Sequence, residues 1–231
     1  HDALPISPEG RITPGCPGLW NDTQRDAFKH VVDWVHTHTD AKIGVQLGHA
    51  GPKGSTCRPW QGTGMDQPVP ADDAEGNWPS IAASSQPYLP HGDVPRAMTR
   101  ADMDRVKADF VAATQRAAWA GFDWLELHCA HGYLLSSFIT PLTNRRDDAY
   151  GGSIENRARL LLEVMQAVCT EIGGARVALR LSPVTPANDA ADPKPQPLFN
   201  YVVQQLAPLG LAYVHVIEGS TGAERDYQQG D

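Results

Sequence analysis

Long hydrophobic runs are missing from this 231-residue chain. No apolar stretch approaches the ~20 residues that a membrane-spanning helix requires, and the amino terminus lacks the basic, apolar and small-residue order of a secretory signal. Positive charge is also scarce, since the formal net charge is −8 and no clustered cations are present to bind phosphate. We therefore expect a cytoplasmic protein that has neither a membrane nor a nucleic acid as a partner.

Cysteine is scarce as well. The four cysteines, Cys16, Cys57, Cys129 and Cys169, contain no C-x-x-C pair. This spacing argues against a zinc or iron–sulfur site and against a disulfide scaffold, and it fits a reducing compartment. With 41% hydrophobic residues, the chain can bury one α/β core without requiring a second domain.

The apolar periodicity alternates between the strand repeat and the helical repeat along the chain. Strands are predicted at residues 42–47, 123–128, 177–182 and 211–217. Helices are predicted at residues 21–36, 99–120, after Gly151-Gly152-Ser153, and near 198–209. Strands that alternate with helices indicate parallel βα units, because a parallel crossover needs a helix to return the chain. The aperiodic segment at 48–97 is predicted to be a functional loop or disordered.

The predicted strands carry apolar residues in one phase and polar or small residues in the other. Arg180, for example, lies between Leu179 and Leu181. An open doubly wound sheet would be apolar in both phases, because both of its faces meet helices. A polar inner phase is typical of a (β/α)8 barrel with a ligand at its mouth, and it places Gln46, His128 and Arg180 at the carboxyl ends of neighbouring strands.

Proton-handling groups are concentrated where one predicted strand ends. The segment Glu126-Leu-His-Cys-Ala-His-Gly-Tyr133 holds His128, His131 and Tyr133 at spacings of three and two residues. Together with the strand-end residues named above, they show the convergence that is expected of an active site.

The predicted loop adds residues for which two interpretations stay open. His49 and Lys53 are either substrate contacts or solvated loop residues. Trp60, Trp78 and Tyr88 either line a substrate pocket or hold the loop in place.

Four longer motifs occur together in this chain. They are Gln46-Leu-Gly-His-Ala-Gly51, Gly121-Phe-Asp-Trp-Leu-Glu-Leu-His-Cys-Ala-His-Gly-Tyr-Leu-Leu135, Pro141-Leu-Thr-Asn-Arg145 and Tyr150-Gly-Gly-Ser-Ile-Glu-Asn-Arg157. Their order and spacing resemble the old yellow enzyme family of FMN-dependent NADH:flavin oxidoreductases, from Ser7 to Glu218. A closer likeness is to the bacterial branch that contains 2,4-dienoyl-CoA reductases and the oxidoreductase half of salicylyl-CoA hydroxylase fusions.

The resemblance implies an α/β fold, a partial (β/α)8 TIM barrel that holds about strands three to six of eight. Residues 1–6 do not fit the family, so they are interpreted as artefactual and are excluded from the fold. Residues 7–231 are interpreted as an incomplete FMN-oxidoreductase barrel domain. Because the loops of the last two barrel strands commonly hold the cofactor phosphate, the chain alone is predicted to bind FMN weakly or not at all and to be inactive.

The resemblance also implies roles for five residues. Gln46 matches a glutamine that bonds the pyrimidine edge of FMN, and Arg180 matches an arginine that stabilises negative charge on the reduced flavin. His128 and His131 match a substrate-binding pair that donates hydrogen bonds to a carbonyl oxygen. Tyr133 matches the catalytic proton donor. A phenol with a pKa of about 10 stays protonated at neutral pH and can therefore supply a proton.

These roles imply an ene reductase that uses NADH or NADPH and reduces activated C=C bonds of enones or enoyl thioesters, acyl-CoA substrates included. The closer likeness adds a fused or neighbouring monooxygenase domain, and assembly into a homo-oligomer stays open. Two alternatives come from other classes: a non-catalytic α/β scaffold fragment, and a metal-dependent barrel hydrolase that uses His128 and His131. No metal site is predicted, because two histidines without a third ligand hold a metal poorly.

Overall fold

The computed structural model describes residues 3–60, 67–70, 72–73, 76–88, 92–184, 192 and 194–217. Its strands are β1 (Leu4–Pro5), β2 (Gly44–Gly48), β3 (Ile81–Ala82), β4 (Arg96–Ala97), β5 (Trp124–Cys129), β6 (Val177–Leu181) and β7 (Tyr213–Val216). Its helices are α1 (Asp22–His38), α2 (Arg100–Ala120), α3 (Leu134–Ile139), α4 (Ile154–Ile172) and α5 (Pro195–Leu206). The predicted helices and strands are therefore confirmed, with ends that shift by a few residues.

Three of these helices begin at residues whose side chains cap them. Asn21 accepts the Gln24 N–H while the Gln24 side chain bonds back to the Asn21 N–H, and Thr99 and Asp102 form the same reciprocal pair at the start of α2. Ser153 caps α4. Such a cap satisfies backbone donors that the first helical turn leaves open, and each is worth about 1 kcal/mol.

Five parallel strands form the main sheet in the spatial order β1–β2–β5–β6–β7. The short strands β3 and β4 pair separately within the segment 48–97. The main order follows the chain without a reversal, whereas a doubly wound sheet reverses at a switch point. Consecutive βα units of a (β/α)8 barrel add strands in one direction. The strand order of the sheet therefore matches part of such a barrel.

The two faces of the sheet differ as the sequence predicts. The row Leu47, Leu127 and Leu179 is fully buried and belongs to one hydrophobic core with helix residues such as Phe110 and Leu161. The opposite phase carries the polar side chains, so the helices cover one face and the barrel interior is the other.

The exclusion of residues 1–6 from the fold needs a correction. Leu4 and Pro5 pair in parallel with Leu47 and Gly48, and the Ile6 N–H bonds to the Gly48 carbonyl oxygen at 3.1 Å. The Leu4 and Ile6 side chains are buried. A strand of two residues has no periodicity to detect, and the proline is tolerated because edge strands need fewer N–H donors. The sheet therefore has five strands, where four were predicted.

The segment 48–97 is ordered over the part that the structure describes. The Arg146 guanidinium donates hydrogen bonds to the carbonyl oxygens of Ala83 and Met98, at 2.9 and 2.8 Å, and so ties β3 and β4 to the chain that follows α3. Within the described ranges, no helix is both long and apolar enough to cross a membrane.

Candidate active site

Three of the predicted site residues share the interior face of the sheet near its carboxyl end. His128 on β5 is paired in register with Arg180 on β6, and Gln46 on β2 is paired with Glu126 on β5. Residues paired in register point to the same face, and two residues along a strand span about 7 Å. Gln46 therefore lies one interior row below His128 and Arg180.

His128 is a buried imidazole whose tautomer is set by the backbone. The Ala130 N–H donates to His128 Nδ1 at 3.1 Å, so the proton of the neutral ring lies on Nε2. Burial, and after it the nearby His131, Arg180 and His215, together lower the pKa of His128 to about 3. At neutral pH, His128 is thus an uncharged hydrogen-bond donor through Nε2.

The chain turns sharply after β5, and this turn carries the second histidine. His131 and Gly132 both have left-handed backbones, with φ of 57° and 74°. A non-glycine residue in this region costs about 1–3 kcal/mol and needs support from its surroundings. Ser182, directly after β6, supplies it by accepting the His131 N–H at 2.9 Å. The turn leaves the His131 and His128 rings edge to face, with centroids 5.5 Å apart.

Tyr133 occupies the N-cap position of α3, and its ring lies against the same histidine. The Tyr133 and His128 ring centroids are 4.8 Å apart and nearly perpendicular. The Lys53 ammonium lies 5.9 Å from the Tyr133 ring and 5.3 Å from the Tyr88 ring. The structure therefore brings Lys53 from the loop to the edge of this cluster.

His49 is a buried residue of the loop, so it is not the solvated residue that one interpretation expected. Its side chain has no exposed surface, and its Nδ1 accepts the Gly51 N–H at 3.0 Å. Its carbonyl oxygen accepts the Leu134 N–H at 3.0 Å, one residue beyond Tyr133. Gly51 has a φ of 61°, and a Cβ there would lie 2.7 Å from the Leu134 backbone. His49 and Gly51 thus seat the loop on the start of α3.

Two interior residues, Glu126 and His215, were not predicted as site residues from the sequence. Gln46 Nε2 donates to Glu126 Oε1, and His215 Nδ1 lies 3.1 Å from Glu126 Oε2. Glu126 is only 7% exposed. The sequence contains a signal for Glu126, because this residue has the same strand phase as His128. The pairing of Glu126 with His215 on β7 has no such signal, because it depends on the register of the sheet.

Arg180 holds a buried donor that the described residues leave unfilled. Its Nε has no hydrogen-bond partner within the ranges that the structure describes. A buried N–H without a partner costs about 1–3 kcal/mol, so a ligand that accepts there would be stabilised. A guanidinium is a positively charged donor, which suits an acceptor edge that becomes negative.

The aromatic residues of the loop divide between the two open interpretations. Tyr88 lines a cavity of about 270 Å³ together with Gly132 and Ser137, beside the turn that carries the histidines. Trp78 Nε1 donates to the Glu9 carbonyl oxygen at 3.0 Å and so holds the loop in place. Trp60 is 78% exposed.

The described part of the chain contains no set of side chains suited to bind a metal ion. No group of three or more histidine, cysteine, aspartate or glutamate side chains is arranged there to hold an ion. Cys129 follows His128, but burial raises the pKa of its thiol strongly and disfavours the thiolate that would bind a metal.

Comparison with known proteins identifies the relatives of this chain. The model of the NADH:flavin oxidoreductase / NADH oxidase family matches residues 1–229. The chain is 43% identical over 174 residues to an NADH:flavin oxidoreductase of Gibberella zeae, a match that covers 74% of this chain and 41% of that protein.

Two solved structures are similar over nearly the whole chain. One is the old yellow enzyme homologue from Zymomonas mobilis, with a TM-score of 0.81, 32% identity, and coverage of 96% of this chain and 60% of that one. The other is morphinone reductase in complex with tetrahydroNAD, with a TM-score of 0.79, 33% identity, and coverage of 93% and 59%. The chain thus spans 41% to 60% of the length of these relatives.

Proposed function

Because the chain belongs to the NADH:flavin oxidoreductase / NADH oxidase family, the old yellow enzyme family, we propose that it is part of an FMN-dependent NAD(P)H ene reductase. Its substrates are enones or enoyl thioesters with an activated C=C bond. The observation that carries the proposal is the cluster of His128, His131 and Tyr133 at the end of β5, beside an Arg180 donor on β6 that has no partner among the described residues.

Gln46 and Arg180 are the residues that would hold FMN, whose isoalloxazine ring, when bound, takes a hydride from NAD(P)H and passes it to the substrate. The buried Arg180 Nε supplies a donor for a carbonyl edge, and its permanent charge offsets negative charge that reduction places there. Gln46 lies one row deeper and contributes an amide group. The donors present therefore fit the flavin.

His128 and His131 would bind and polarise the substrate. The neutral His128 donates through Nε2 to a carbonyl oxygen, and its lowered pKa means that the ring stays neutral at neutral pH while it keeps this proton. Such a donor strengthens as enolate charge develops on the oxygen, and donors of this kind contribute about 2.7–4 kcal/mol each to rate. His131, in the strained turn, adds the second donor.

Tyr133 would deliver a proton to the α-carbon of the substrate. Its ring is oriented by the perpendicular contact with His128, which places the phenol next to the histidine that binds the carbonyl. The closer likeness to acyl-CoA reductases of the bacterial branch, the fused or neighbouring monooxygenase domain, and assembly into a homo-oligomer belong to the same proposal.

Separate measurement of the two half-reactions tests this function in the full reading frame that contains the chain. Tyr133→Phe should slow alkene reduction by about 100-fold or more, the usual contribution of a general acid, while flavin reduction by NAD(P)H keeps its rate. Anaerobic stopped-flow absorbance follows both steps. Tyr201→Phe, which removes a phenol on α5, is the matched control and should slow neither step. Equal loss of both half-reactions in Tyr133→Phe would contradict the proton-donor role.

A further inference from the structure

Glu126 is a buried carboxylate that connects three strands inside the barrel. It lies on β5, two residues before His128, and both of its oxygens are engaged. Oε1 accepts from Gln46 Nε2 on β2, and Oε2 lies 3.1 Å from His215 Nδ1 on β7. Burial, and after it the Glu126 carboxylate, raises the pKa of Tyr213, which shares the same interior row. Neither the strand core nor the reacting groups named above require a carboxylate at this position.

The chemistry of Glu126 decides which way the Gln46 amide faces. A glutamine amide can turn by 180°, because its oxygen and its NH2 group have nearly the same shape. A carboxylate only accepts hydrogen bonds, so the group that faces Glu126 must be the NH2 group. The Gln46 carbonyl oxygen is thereby directed away from Glu126 and left as an acceptor.

The pyrimidine edge of an isoalloxazine ring needs both kinds of partner. Its two carbonyl oxygens require donors, and its imide N3–H requires an acceptor. Arg180 carries donors only. An acceptor for the imide N–H has to come from elsewhere, and a Gln46 amide whose oxygen is turned outward supplies it.

We propose that Glu126 is a positioning residue that commits Gln46 to accept the flavin imide N–H through Oε1, and so makes the site selective for a ring that carries a donor between two acceptors. This inference rests on the proposed FMN function. Glu126 does not itself touch the flavin. It acts through the orientation of Gln46, while its other carboxylate oxygen contacts His215.

Spectra of the imide proton test the proposal in the FMN-bound full reading frame. With 15N-labelled FMN, the N3–H signal of the wild type should appear downfield and exchange slowly. Glu126→Gln keeps the volume but lets the amide turn, so the signal should move upfield, exchange faster, and be accompanied by an FMN affinity about tenfold weaker, the size of one hydrogen bond. Gln46→Ala should do the same, and the double variant should add nothing, because both act through one bond.

Two controls separate orientation from general support of the barrel. His215→Ala removes the His215–Glu126 contact but leaves the Gln46–Glu126 bond, so the N3–H signal should stay downfield. Glu126→Asp keeps an acceptor-only group and should restore part of the downfield shift. If the signal moves in His215→Ala as far as in Glu126→Gln, the carboxylate is only a structural anchor and the proposal is overturned.

A measurement on the wild type keeps the test valid if Glu126→Gln does not fold. The nuclear Overhauser contact between the Gln46 side-chain NH2 protons and the Glu126 side chain should be present with and without FMN, because the NH2 group already faces Glu126. Loss of this contact on FMN binding means that the amide turns, which overturns the proposal. If Gln46→Ala shifts the imide signal and Glu126→Gln does not, the Glu126 inference alone fails. If Gln46→Ala also has no effect, or if the wild type binds no FMN, the proposed function fails with it.

Discussion

The two faces of the same sheet have opposite characters. The helix-covered face is an apolar row, Leu127 between Leu47 and Leu179, in which every side chain is fully buried. The interior face carries carboxylate, imidazole and guanidinium groups, and the Arg180 Nε has no hydrogen-bond partner among the residues that the structure describes. Adjacent residues of one strand therefore serve different purposes. One face stabilises the fold by packing, while the other buries polar groups at an energetic cost, as expected of the proposed flavin site.

The largest expected effect on stability comes from a substitution on the apolar face. Leu127→Ala should lower the free energy of unfolding by about 2–5 kcal/mol, because the substitution leaves a cavity in a close-packed core. Urea denaturation measures the change. Gln46→Ala, from the interior face of the neighbouring strand, is the matched variant and should cost clearly less stability. Equal losses of unfolding free energy from the two variants would show that the interior face contributes as much to stability as the helix-covered face.

A smaller effect concerns ligand affinity on the interior face. Arg180→Ala should weaken FMN binding in the full reading frame by about 10- to 100-fold, the value of hydrogen bonds from a charged donor, and should make flavin reduction harder. Fluorescence titration and the flavin potential measure the two changes. Arg176→Ala is the matched control, because Arg176 lies before β6 and bonds only to the carbonyl oxygens of Phe122 and Asp123 among the contacts that the structure describes. Loss of affinity in Arg176→Ala as well would contradict a role specific to Arg180.

The smallest of the three effects is a pH dependence that comes from the interior face alone. Burial, with the nearby His131, Arg180 and His215, lowers the pKa of His128 from its ordinary value of 6.5 to about 3, so between these values the unfolded chain binds a proton that the folded chain does not. Stability should therefore fall as the pH drops below 6.5, by about 2 kcal/mol on reaching pH 5. Urea denaturation at several pH values measures this fall. His128→Asn should lose that part of the pH dependence, and an unchanged slope in this variant would show that other groups cause it.

Much of the fold could be predicted from the sequence because the signals are local. Asn21, Thr99 and Ser153 cap helices through bonds to residues three positions away, so a short window contains both partners. The alternation around Arg180 also lies within one strand, and it distinguished a barrel interior from a doubly wound sheet. The two-residue strand β1 was missed because so short an element has no period.

The remaining parts of the candidate site depend on long-range contacts. His215 meets Glu126 across 89 positions of sequence, and Ser182 supports His131 across 51. The burial of His49 follows from the way its loop packs on α3, which no pattern within the loop reveals. In each case the partner is chosen by the register of the sheet or the packing of a loop.

The sequence by itself determined the alternation of helices and strands, the polar phase of the strands, and the cluster of histidines and tyrosine after β5, because short-range periodicity and backbone chemistry specify these. The tertiary structure alone decided the tautomer of His128, the bond between Gln46 and Glu126, and the burial of an Arg180 donor that has no partner within the described ranges. Hydrogen-bond partners and burial are properties of neighbours in space, and parallel strands acquire such neighbours only when the intervening helices have brought them into register.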